Sequence, residues 1–134
     1  MLATPSPVEV AHVLPVRTRV TVTHAAGHTA VAVTGDFDLA VTASLHDQLE
    51  AELRRTPEAL VLDLAGVTFC SAGALAVLLE VVTTAHARGI PCAIVATGRA
   101  VLRPVRVLQL DRVLPLHRDR AKAEDWLSLL RRLR

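Results

Sequence analysis

Between residues 16 and 24 the chain alternates. Val16, Thr18, Val20, Val22 and His24 fall on one parity, and Arg17, Arg19, Thr21 and Thr23 on the other. A period of two is that of a strand, whose successive side chains point to opposite faces, so this stretch predicts a strand with one covered face. Ala25-Ala26-Gly27-His28 predicts a hairpin connection, with Gly27 free to adopt positive φ, and Thr29–Val33 the second strand, ended by Gly35 and Asp36. Upstream, Val8–Val13 reads as a short strand limited by Pro15.

After residue 38 the period changes. Val41, Leu45, Leu49 and Leu53 recur every fourth residue, the stripe of an amphipathic helix that Asp38 is placed to cap and Thr56-Pro57 ends. Leu60-Val61-Leu62-Asp63-Leu64 is nearly all apolar, as in a central strand covered on both sides. A second helix is expected from Ser71, buried through Leu75, Leu78, Leu79, Val82 and Ala85 and stopped at Gly89 with Arg88 in its last turn. Pro91–Ala96 predicts a parallel strand. Val101–Leu110 is helical in pattern, with Pro104 expected in the first turn, and Val113–Leu116 predicts a strand at a sheet edge because of Pro115. From Arg118 onward the chain turns charged, and Asp125 is expected to cap a short helix carrying Trp126, Leu127, Leu129, Leu130 and Leu133. That helix is expected to pack on its own domain, the alternative being a partner chain or a membrane surface. The boundaries read as a leader with a short strand at 1–15, a domain at 16–117, and a charged segment with an amphipathic helix at 118–134. Strands alternating with helices imply a mixed α/β sheet with parallel strands and helical crossovers.

Composition narrows the function classes. In 134 residues with 51% hydrophobic side chains there is material for one core, and a net charge of +2 gives no reason to expect nucleic acid binding. Phe37, Phe69 and Trp126 are the only aromatics, too few for a base-stacking platform. Cys70 and Cys92 sit in or beside apolar runs and read as two buried thiols in a reducing cytoplasm. The first residues have neither the basic nor the apolar segment of a signal peptide, and Glu80 interrupts the most apolar later stretch, so membrane contact is not expected. The histidines are scattered; His24 and His28 flank a turn but lack a third ligand, so no metal is expected. Phosphate-cradling glycine loops and a nucleophile elbow are absent, and Asp36, Asp38 and Asp63 read as caps and turn residues. The pattern is that of a small α/β domain that is not an enzyme and needs no cofactor.

One order of segments goes further. Gly35-Asp36-Phe37-Asp38, then Leu45 and Leu49, then Leu60-Val61-Leu62-Asp63-Leu64-Ala65-Gly66-Val67-Thr68-Phe69 and a helix containing Leu75, resembles the STAS domain of bacterial anti-sigma factor antagonists over residues 16–117. The resemblance implies a mixed sheet of four to five strands with helices packed mainly on one face. It also implies a regulatory binding module whose partner is a kinase-type anti-sigma factor. In that family the strand-to-helix junction reads Phe, any residue, Asp, Ser, Ser or Thr, Gly, Leu, and the second hydroxyl accepts phosphate. Here the junction reads Phe69-Cys70-Ser71-Ala72-Gly73-Ala74-Leu75, so Gly73 stands at the acceptor position. The partner surface implied is Ser71, Ala72, Gly73 and Ala74, with Phe37 and Asp38 beside it. Phe37 is either an exposed anchor or a core residue, Asp38 either a cap or a contact, and Ser71 either the cap of the second helix or a substitute phosphorylation site. The alternatives are a non-enzymatic STAS subunit of a sensory or lipid-transport complex, with a homodimer open, and a small enzyme or carrier with a pocket near Asp36, Asp63 and Ser71.

Overall fold

Leu60, Leu62 and Leu64 turn into one hydrophobic cluster and Val61 into another, and none of the four is more than 2% exposed. A segment buried on both faces has to lie at the centre of a sheet with cover on each side. The computed structural model describes residues 12–13 and 18–133. Their elements run β1 (His12–Val13), β2 (Arg19–Ala25), β3 (His28–Phe37), α1 (Leu39–Arg54), β4 (Leu60–Cys70), α2 (Ala72–Ala87), β5 (Cys92–Val95), α3 (Arg99–Val107), β6 (Leu116–His117) and α4 (Arg120–Arg132). The sheet order is β1-β2-β3-β4-β5-β6, antiparallel from β1 to β3 and parallel from β3 to β6. Four substantial strands, β2 to β5, carry a two-residue strand on each flank.

The predicted hairpin is present: Ala25 pairs with His28 around Gly27, whose φ is +89°. Val41, Leu45, Leu49 and Leu53 of α1 are all at most 1% exposed, and α1, α2 and α3 share one core with Val20, Val22, Val31 and Val33. Helix α2 ends as expected. Gly89 has a φ of +72° and donates to the His86 carbonyl, while the buried Ile90 donates to the Ala85 carbonyl, so two orphan carbonyls of the last turn are satisfied. The opposite face is covered by α4. Ala123 and Leu127 pack there on Ala30, Val61, Ala93 and Val95, with Trp126 half-buried beside them and its ring centroid 5.0 Å from that of His117. The small alanines let the helix approach the sheet closely. Helices therefore pack mainly, but not solely, on one face, and the last helix packs on its own chain.

Several boundaries differ from the sequence expectation, and the last strand is Leu116–His117 at the sheet edge rather than Val113–Leu116. Strand β3 continues through Gly35 and Asp36 to Phe37, and β4 continues past Leu64 to Cys70, because two register shifts keep the strands paired beyond their straight portions. Pro104 lies in the middle of α3 and not in its first turn; Gly98 is the N-cap. Helix α4 starts at Arg120, where the Asp119 carboxylate accepts from the Lys122 amide at 2.8 Å, and not after Asp125. The small Ala123 carries the first buried turn, so the charged residues around it hid the helix. The upstream part of the expected Val8–Val13 strand lies outside the described residues.

Histidines tie elements together: His24 of β2 meets Glu52 of α1 at 2.9 Å, and His46 of α1 meets Glu80 of α2 at 2.9 Å. The Glu80 hydrogen bond raises the His46 pKa above 6.5, against a smaller opposing effect of desolvation. A raised folded-state pKa means that the pairing stabilises fully below pH 6.5 and is lost as pH rises through the folded value. We expect the melting temperature of His46→Gln to fall below that of the natural chain in mildly acidic buffer and to converge with it at alkaline pH. A difference independent of pH would contradict this assignment.

Candidate functional site

Strands β3, β4 and β5 run parallel and so deliver their following loops and helix starts to one end of the sheet. That is the end at which α/β sheets ordinarily present their sites. There the chain knits itself together. The Ser71 amide donates to the Phe37 carbonyl at 3.0 Å, tying the end of β3 to the start of α2. Thr18 Oγ1 donates to the Asp36 carbonyl at 2.6 Å and Thr68 Oγ1 to Asp36 Oδ1 at 3.1 Å. The Asp38 carbonyl accepts from the Val41 amide at 3.1 Å in the first turn of α1, which begins directly after Asp38.

Ser71 is the N-cap of α2, with extended φ and ψ, and its Oγ accepts from the Ala74 amide at 3.1 Å. Its hydroxyl thus satisfies one of the free amides of the first turn. Ala72 is exposed, and Ser71 and Gly73 are half-buried. No acidic residue stands in that first turn. The surface offered is flat, small and uncharged, with backbone amides and the positive end of the helix dipole close beneath it.

Two of the expected surface residues are not on the surface. Phe37 is 0% exposed and fills the core, so its ring is no anchor. Ala74 is also 0% exposed, because the cap fixes the rotation of α2 and turns position 74 inward with Leu75 and Leu78. The exposed aromatic at this end is Phe69, 52% exposed and paired with Asp36. Thr68 is the extra residue between the Gly35–Val67 and Asp36–Phe69 pairs, and this shift turns Phe69 outward. No cue to it is readable along the chain, since strict alternation after Val67 places Phe69 inside.

The three aspartates do not form a cluster. Asp63 lies on the α4 face, where Arg120 donates to its Oδ2 through Nε at 3.2 Å and Nη2 at 3.0 Å, and Asp36 is held by Thr68. Among the described residues no group of three or more histidines, cysteines or carboxylates could hold a metal. Burial raises the thiol pKa of Cys70 to about 11 and of Cys92 to about 12, which keeps both protonated and poor nucleophiles at neutral pH. Among the described residues no helix is long and apolar enough to cross a membrane. An apolar groove of about 690 Å³ lies elsewhere, between α2 and α4, bordered by Leu79, Val82, Pro115, Trp126, Leu130 and Leu133.

Comparison with known proteins agrees with this geometry. The family model described as Mlab, STAS domain matches residues 20–116, well over half of the chain, and the chain belongs to the STAS family. An anti-sigma factor antagonist from Mycobacterium paratuberculosis superposes with a TM-score of 0.75 at 25% identity, over 86% of this chain and 97% of that one. A variant of RsbS from Moorella thermoacetica gives 0.73 at 21% identity, over 84% and 97%, and a chain of the stressosome gives 0.62 at 22%, over 83% and 98%. These last two share the fold. No curated protein matches the sequence.

The cap and the burial pattern separate substitutions at three positions. Ser71→Ala should cost about 1 kcal/mol in urea unfolding, with Ser71→Asp recovering most of it. Ala74→Arg should destabilise by about 3 kcal/mol or more, because it forces a charge into the core. Ala72→Arg should leave the unfolding midpoint nearly unchanged. A destabilised Ala72→Arg would show that position 72 is packed and not available to a partner.

Proposed function

We propose that this chain is a non-enzymatic regulatory module, an anti-sigma factor antagonist that binds a kinase-type anti-sigma factor through the start of α2 and is not switched by phosphorylation at the usual position. The observation that carries this reading is the helix start itself. Gly73 has no hydroxyl where the family carries its phosphoacceptor, and the one hydroxyl between Phe69 and Leu75, on Ser71, is committed to the Ala74 amide. A hydroxyl two residues away from the usual position stands in a different place for an in-line transfer. The likeness to the Mycobacterium paratuberculosis antagonist, across nearly the whole of that chain, supports the partner class. The exposed, nearly featureless surface at Ala72 suits close approach of another backbone.

A second reading, a permanent subunit of a larger assembly, draws support from Leu129 and Leu133 of α4 and its C-terminal cap, which are 52% and 75% exposed. Light scattering on the purified chain separates the two, because a self-assembling subunit exceeds the monomer mass.

The test of the antagonist reading is capture of purified kinase-type anti-sigma factors by the tagged chain, with and without ATP, followed by the intact mass of the bait. We expect binding that Ala72→Arg abolishes and a bait mass that ATP leaves unchanged. Gly73→Ser, which restores a hydroxyl, should gain the mass of one phosphate with the same kinase. Phosphate on the natural chain would overturn the unswitched reading, and absence of any such partner would overturn the antagonist reading.

A further inference from the structure

Among the described residues most carboxylates have a basic partner, while most arginines have no acidic one. Glu50, Glu52, Glu58, Asp63, Glu80 and Glu124 each meet an arginine or histidine at 2.9 to 3.4 Å. Arg99, Arg103 and Arg106 of α3 have no acidic partner among the described residues. All three are exposed, and their spacing of four and three aligns them along one side of the helix. With Thr97, Leu102 and Val107 they line a shallow groove of about 510 Å³. Like charges at this spacing repel along a helix, and no carboxylate among the described residues pairs with them. Val107 and Leu108 at the end of α3 are 73% and 46% exposed. Strand β5 lies beside β4 and runs parallel to it, so α3, like α2, follows a strand that points to the same end of the sheet.

We propose that α3 is the docking face for an acidic amphipathic segment of a protein partner. The proposal rests on the protein-binding reading above and adds the chemistry that the partner must present. Carboxylates would pair with the three guanidinium groups, and aliphatic side chains would cover Leu102, Val107 and Leu108. Arginine is enriched at protein interfaces, and exposed aliphatic side chains gain by being covered, whereas a phosphate backbone offers the exposed aliphatics nothing to cover them. A lipid surface needs a broad apolar helix face, but Val101 and Val105 of α3 are turned into the core. A second copy of this chain is also a poor source of carboxylates, since most of its own are paired internally.

The experiment is an NMR titration of the full ¹⁵N-labelled chain with a synthetic amphipathic helical peptide built from glutamate and leucine. We expect shifts concentrated at residues 97–108 and affinity that falls at high salt. R99E/R103E/R106E should weaken binding by about tenfold or more, and R99Q/R103Q/R106Q by less. Circular dichroism of both variants checks that they remain folded. Shifts confined to the groove between α2 and α4, or absence of binding, would overturn the proposal. Tighter binding of a duplex DNA or of phosphatidylglycerol vesicles to the same residues would overturn it in favour of those classes. Ala72→Arg should bind the peptide at least as well as the natural chain, so loss of partner capture in that variant tests the α2 reading separately.

Discussion

A strand buried on both faces demands cover on both, and β4 imposes that demand on the whole chain. Leu60, Leu62 and Leu64 are apolar enough to require a helical layer, which α1, α2 and α3 supply. Val61 faces the other way and requires a second cover, which α4 gives. Each fully buried Leu or Val contributes about 1.5–3 kcal/mol by removal from water, so exposing either face would forfeit a large share of a domain's net stability. The Arg120–Asp63 pair anchors the N-terminal turn of α4 to the same strand. Asp63 is thus the polar interruption that the core strand tolerates because a guanidinium satisfies it.

The same strand also builds the site. Its first half is straight and buried, and its second half is shifted twice against β3. Those shifts leave Ala65 and Gly66, and then Thr68 and Phe69, exposed as adjacent pairs where a regular strand would alternate. Gly66 belongs to this irregularity: a Cβ there would stand 2.7 Å from Thr34 Cγ2. The distortion carries the chain to Cys70 at the height where the Ser71 amide can reach the Phe37 carbonyl. From that hydrogen bond and the Ser71 cap the rotation of α2 follows, and with it which small side chains of the first turn face outward.

Legibility in the sequence followed the strength of the periodic signal. The hairpin at Gly27, the stripe of α1 and the double burial of Leu60–Leu64 were all readable, because large apolar groups mark them and one side of each is unambiguous. The start of α4 was not, since its first buried contact is the methyl of Ala123 amid charged neighbours. The outward turn of Phe69 was not either, because a register shift arises from pairing with β3 and leaves no mark in β4 alone. Ser71 as N-cap was legible from residue type and place. The burial of Ala74 required knowing where the cap sets the helix rotation, which a one-residue uncertainty in the boundary would have reversed. The arginines at 99, 103 and 106 carried a readable helical spacing, but their lack of acidic partners is a three-dimensional fact.

These features bear jointly on how the surface is controlled. A phosphorylation switch works by changing the charge of a binding face, adding about −1.5 to −2 where the partner sits. On the proposed reading this chain has removed the group that would carry that charge and used the remaining hydroxyl to hold its helix. The charges on α3, which starts at the same end of the sheet, are guanidinium groups. No histidine or carboxylate stands in the first turn of α2 to titrate in their place. On that reading the first turn of α2 carries no ionisable side chain of its own, and control over binding passes to the concentrations of the two proteins and to whatever modifies the partner.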